Sequence, residues 1–240
     1  MIMKRIIPQL QIGIAAALLV ASSSGLFATT TTLQPGSTGK DTWIWNQEDF
    51  SHGDWGELRA NQTAAFDQRI LIEFDLSSIP GGVTINSATL GLYRYDGYTS
   101  LPLILDAHRI TTPWTEAVTY STAPVFDASI QSSATVTVNG WYTWDLTAAV
   151  SAWTSGAWAN NGVGIYDHGS TFFQRFVSSD NVGATEPSFA LPPRDPSLRP
   201  YLEIDFTAVP EPSTFVAGVL LALPLGLQGV RWLRTRKHLS

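Results

Sequence analysis

Four histidines, His52, His108, His168 and His238, are scattered through 240 residues. No two of them have the HExxH or paired-histidine spacing that would bring two imidazoles onto one zinc ion. There is no cysteine, so neither a thiol nucleophile nor a disulfide can form. The chain also lacks a G-x-S-x-G elbow and a glycine loop for phosphate. Carboxylates are plentiful, nineteen of them between Thr29 and Ala208. A glycosidase pair is defined by separation in space rather than along the chain. A polysaccharide hydrolase or lyase therefore stands as the alternative activity, without a motif to support it.

The tryptophans are the stronger lead. Sugars present C–H faces that pack on indole rings, and an aromatic ring with a polar handle suits a half-wet site. Trp43 and Trp45 stand at i and i+2 and share one strand face. Trp55 lies in the glycine-flanked loop Ser51-His52-Gly53-Asp54-Trp55-Gly56, and Trp158 follows the stop of a short helix. Glycan stacking and core packing are both open to Trp55 and Trp158. Trp43 and Trp45 are candidates too, although a first strand usually buries one face. Trp141, Trp144 and Trp153, set within regular elements, are expected in the core.

Asp41, Glu203 and Asp205 fall on the expected first and last strands, and the two ends of a domain often lie close. Hard oxygen ligands of this kind suit a structural Ca²⁺, with solvated acids as the other reading. Arg69 and Arg199 are expected to pair with acids near strand ends. Asn61-Gln62-Thr63 has the form of a glycosylation sequon.

Short runs rich in Val, Ile, Thr, Tyr, Phe and Trp alternate with Gly, Pro, Asn, Asp and Ser clusters, which predicts an all-β sandwich or barrel. Thr42–Trp45 opens the domain. Strands follow at Arg69–Leu76, with Ile70, Ile72 and Phe74 on one face, and at Ile85–Tyr95, with Ala88, Leu90 and Leu92 on one face. Leu103–Ile110 is another strand. Ala134–Val138 and Trp141–Leu146 bracket Asn139-Gly140, a hairpin signal. One short helix, Thr147–Thr154, begins after Asp145 and ends at Gly156. Val163–Tyr166, Phe172–Ser178 and Pro200–Phe206 complete the set, with Leu202, Ile204 and Phe206 inward.

Both ends of the chain differ from its middle. Lys4 and Arg5, the apolar run Ile6–Val20 and small residues from Ser22 have the layout of a secretory signal peptide over residues 1–28. Residues 29–208 are then the exported domain, carrying eight basic residues against nineteen acidic, a balance of −11. Such a domain is a poor partner for nucleic acid or anionic lipid, and it suits neutral glycans or calcium. Residues 209–214, Val209-Pro210-Glu211-Pro212-Ser213-Thr214, are an extended hexapeptide that prolines keep out of helix and central strand. Residues 215–233 form a marginal transmembrane segment, and residues 234–240 a basic tail that would stay cytoplasmic.

That ordered end, Pro-Glu-Pro, apolar run, then arginines, resembles the PEP-CTERM sorting tail of bacterial surface and exopolysaccharide-associated proteins. The resemblance implies an exosortase-type membrane protease as partner, cleavage near Glu211 and transient anchoring in the membrane. The middle of the chain resembles the DNRLRE domain. Arg69–Pro80 with Ile85–Leu90 match its first half, and Trp114-Thr115-Glu116 with Val118-Thr119-Tyr120 and Pro124 its middle. Trp141–Val150, Trp153, Gly156, Asn160-Asn161-Gly162 and Arg199–Ile204 match its end. The resemblance implies an extracellular jelly-roll-type β-sandwich that binds or organises polysaccharide, some members taking acidic polymers such as alginate. No catalytic domain accompanies it here. A noncatalytic cell-surface or matrix protein is the expected function, with a scaffold for another protein as a further alternative.

Overall fold

The computed structural model describes residues 28–63, 65–97, 102–167, 173–182 and 192–209. The expected signal peptide, and the tail from Pro210 onward, lie outside these residues. Eleven strands are seen. They are β1 (Ala28–Leu33), β2 (Lys40–Trp45), β3 (Glu57–Gln62), β4 (Asp67–Glu73), β5 (Val83–Gly97) and β6 (Leu103–Ile110). Then come β7 (Phe126–Val136), β8 (Gly140–Asp145), helix α1 (Thr147–Thr154), β9 (Val163–Asp167), β10 (Gln174–Val177) and β11 (Tyr201–Ala208).

Every pairing is antiparallel, in two sheets. One runs β1–β11–β5, with β8 on the opposite edge of β5 and β10 following β11 along it. The other runs β2–β4–β9–β6–β7. Strand β3 turns the corner: Glu57–Ala60 pair with β10 of the first sheet, and Asn61 and Gln62 with β4 of the second. The inner faces meet in one core. Leu90, Leu92, Trp144, Phe176, Leu202 and Ile204 come from one side, Ile70, Ile72, Leu105 and Ile165 from the other, and Ala149 and Val150 of α1 join them. Alternation along β4 sends Leu71 to the far face. There, with Ile44, Ile110, Trp114 and Val118, it forms a second cluster beneath the loop 111–125.

The all-β sandwich with one short helix is as expected, and β6, β9, β11 and α1 fall where the sequence pattern puts them. Asp145 lies one residue before the N-cap Leu146, yet its Oδ1 still accepts the Thr147 amide at 2.9 Å. Two expectations are corrected, and one strand has no counterpart among them. Thr42–Trp45 does not open the domain, because β1 precedes it; Thr-rich and largely exposed, β1 shows no buried face in its sequence and is held by pairing with β11. Strand β3 was equally hidden, its sequence ELRANQ mixing charge into buried positions. Asn139-Gly140 does not close a hairpin: β7 pairs with β6 and β8 with β5, so the turn carries the chain from one sheet to the other. Asn139 is used across strands, accepting from Arg94 Nη1 and donating to the Tyr95 carbonyl, both at 2.6 Å.

Gly162 is needed for close approach. Its φ is +75°, and a Cβ there would stand 2.0 Å from the Ile72 carbonyl oxygen.

Candidate functional site

The loop after β2 gathers an aromatic cluster. His52 stacks on Trp43 with ring centres 3.7 Å apart, Trp55 meets both edge-on, and Phe50 stands outside them, half-exposed. Arg59 lies over Trp43 at 4.5 Å and is paired with Glu57, which is fully buried and also receives the Tyr95 hydroxyl. The His52 Nδ1 faces the Trp43 carbonyl at 3.0 Å, and its Nε2 faces Glu48 at 3.2 Å. Burial holds the imidazole pKa below its ordinary value, against the opposing pull of Glu48.

This arrangement sorts the candidate tryptophans. Trp43 has no exposed surface and presents no face to a sugar. Trp45 is half-buried beside Phe66, and Trp55 is half-buried against Trp43. Trp158 packs on the main core, with the Arg109 guanidinium over its ring at 4.2 Å.

Among the described residues, the most open indole is one expected in the core. Trp141 is 40% exposed on the outer face of the first sheet. Tyr93, its cross-strand partner, meets it edge-on at 5.4 Å, and Tyr201 does so at 5.1 Å from the other side. Gly91 makes this possible, since a Cβ there would lie 2.2 Å from the Tyr201 ring. A shallow cavity of about 340 Å³ adjoins the Trp141 and Tyr201 rings, lined also by Thr32, Gln34, Ser197 and Glu203. Gln34 is pinned by Nε2 donation to the Arg199 carbonyl at 2.9 Å. Two aromatic edges, a carboxylate, an amide and hydroxyls around one exposed indole can grip a flat, hydroxyl-bearing ring. Strand β8 carried the signal. Trp141 and Trp144 are three residues apart, so they face opposite sides, and burying Trp144 turns Trp141 outward.

The acids also regroup. Glu203 and Asp205 line the outer face of β11 opposite Thr32 and Thr30, whereas Asp41 is buried in β2 of the other sheet; the three do not meet. Asp41 instead joins Glu116 and Asp180, one oxygen of each lying within 4.8 Å of the others. Asp41 accepts from Ser178 Oγ at 2.7 Å and from the Ser179 amide at 2.9 Å. Burial is the main cause raising the pKa of Asp41 and Glu116. Asp180 is pushed up to about 7 by burial and then by the charges of Asp41, Glu116 and Asp54.

Arg69 pairs with Asp67 through two hydrogen bonds of 2.8 and 2.6 Å. Arg199 instead donates to Asn181 Oδ1, and no ion pair of Arg199 is seen among the described residues. Asn61 is buried, which closes the sequon to modification. Val209 is exposed at the end of the described chain; Pro210, Glu211, Pro212 and Ser213 lie outside it. Among the described residues no helix is long and apolar enough to cross a membrane, and residues 215–233 are not among them.

Compared with known proteins, the chain matches no curated sequence. The sequence profile of carbohydrate-binding module family 96 matches residues 30–191, about two thirds of the chain and almost the whole span from β1 to β10. On that match, this chain belongs to carbohydrate-binding module family 96.

Proposed function

We propose that this chain is a noncatalytic polysaccharide-binding protein whose glycan lies on the outer face of the first sheet, over Tyr93, Trp141 and Tyr201. The observation that carries this reading is Trp141: a large indole, 40% exposed and flanked by two aromatic edges, in a chain of a carbohydrate-binding family. Glu203 beside it accepts sugar hydroxyls and repels acidic residues of a polymer. With the domain balance of −11, the favoured ligand is a neutral polysaccharide, or an acidic one bridged by Ca²⁺. Among the described residues, the cluster of three acids holds its oxygens within 4.8 Å, under the roughly 5–9.5 Å of glycosidase pairs, and no aromatic ring lines the cavity beside it.

The reading includes display outside a bacterial cell. The signal-like N-terminus and the Pro-Glu-Pro tail support export and processing by an exosortase-type protease, after transient membrane anchoring. Titration of the full chain against neutral and acidic polysaccharides, with and without Ca²⁺, tests the function. Tryptophan fluorescence and released reducing ends are followed together. Binding without sugar release, weakened by Trp141→Ala more than by Trp55→Ala or Trp158→Ala, is expected. Sugar release abolished by one carboxylate substitution would establish an enzyme instead. Absence of binding to any glycan would favour a scaffold for another protein.

A further inference from the structure

We propose that Asp41, Glu116 and Asp180 form a Ca²⁺ site that ties strand β2, the loop 111–125 and the segment following β10 to one another. These residues are 64 or more positions apart in sequence, yet their carboxylate oxygens converge within 4.8 Å. Like charges at that spacing repel, and a cation among them would relieve that repulsion. No ion pair supplies it: among the described residues none of the three is in one, and Lys40 and Arg199 act on them only from farther away. Lys40 is committed to Glu73 at 2.5 Å, and the Arg199 Nε–H is given to Asn181. The Asp180 carboxylate accepts no hydrogen bond from any described residue, although its own amide is bound to Ser178 Oγ at 3.1 Å.

An independent observation points to a ligand. Ser179 is wholly buried and its Oγ has no hydrogen-bond partner, although the hydroxyl lies within interaction range of the Asp41 carboxylate. Buried hydroxyls almost always find a partner; here a fourth oxygen, without one, stands beside the Asp41 carboxylate. A cavity of about 570 Å³, lined by Ser37, Ser51, Asp54, Glu116 and Asp180, opens onto the cluster and leaves room for waters.

The donor set selects the metal. All the donors are oxygen, which excludes a preference for zinc. Calcium takes six to eight oxygens at about 2.4 Å, so oxygens across the ion stand up to about 4.8 Å apart; magnesium, at about 2.1 Å, needs them within about 4.2 Å and in a strict octahedron. Three carboxylates, the Ser179 hydroxyl and cavity waters match the first description. Because loop 111–125 covers the second apolar cluster, the ion would clamp that cover.

The test uses the full chain, stripped with a chelator and titrated with Ca²⁺ alone, by calorimetry and by thermal melting. One ion per chain and a melting temperature that rises with Ca²⁺, more than with equal Mg²⁺, are expected. Asp180→Asn and Glu116→Gln should each weaken Ca²⁺ binding at least about tenfold, since even losing an outer partner of a ligand costs about 10- to 100-fold. Both should remove the Ca²⁺-dependent rise without lowering the melting temperature of the stripped protein. Asp205→Asn should bind Ca²⁺ like the parent. No heat and no melting shift on adding Ca²⁺, or undiminished affinity in Asp180→Asn, would overturn the site. No glycan enters the measurement, so its failure is separate from failure of the polysaccharide reading.

Discussion

Trp141 and Trp144 stand three residues apart in one strand and face opposite ways. Trp144 fills the core, and its Nε1 donates to the Leu105 carbonyl across the sandwich at 2.9 Å. Trp144→Ala should therefore cost about 3–5 kcal/mol, read from denaturant midpoints. Trp141→Ala should leave the midpoint nearly unchanged while weakening glycan binding. The sequence held this distinction in its period of two, but tryptophan is equally at home in a core and on a binding face, so residue type alone assigned Trp141 wrongly and admitted Trp43. His52 yields a pH prediction. Its folded pKa is depressed, so just below pH 6.5 the unfolded chain binds more protons than the folded one, and this contribution to stability is lost as pH falls. Denaturant midpoints at pH 7.5 and 5.5 should therefore drop more in the parent than in His52→Gln. An equal drop would show that the imidazole titrates alike in both states.

Strand β11 and the middle of β5 were legible from alternation between buried and more exposed positions, while β4 and β6, buried on both faces, were legible as short apolar runs. Strand β1 was not, because an exposed edge strand of threonines gains its stability from backbone pairing rather than from a buried stripe. The Asn139-Gly140 signal failed for a related reason. A local turn preference yields to the ladders β8 makes with β5 and β7 with β6, in which cross-strand pairs contribute about 0.2–1 kcal/mol each. Two substitutions separate scaffold from platform at this scale. Phe74 sits in the core, and Phe74→Ala should cost about 3–5 kcal/mol, which denaturant unfolding would measure. Gly91→Ala should displace the Tyr201 ring, weakening glycan binding far more than it lowers the melting temperature.

At the scale of the molecule, topology decides which acids meet. Asp41 and Asp205 lie on strands near the two ends of the domain, yet the neighbours of β11 are β1 and β5, and β2 belongs to the other sheet. Glu116 and Asp180 reach Asp41 from loops whose positions no local pattern encodes. The tail, in contrast, is read from its sequence alone. The mature protein should lack Phe215–Ser240, and intact-mass analysis of material from the native cell surface would check this; a full-length C-terminus there would exclude the processing.

The most direct test of the glycan platform follows the indole N–H signals of the full chain by NMR during titration with a polysaccharide fragment found to bind. The Trp141 signal, assigned by its disappearance in Trp141→Phe, should move and saturate with the ligand, while those of the buried Trp43 and Trp144 stay in place. Movement confined to Trp55 or Trp45, with Trp141 unmoved, would contradict the account and place the glycan on the aromatic cluster beside His52.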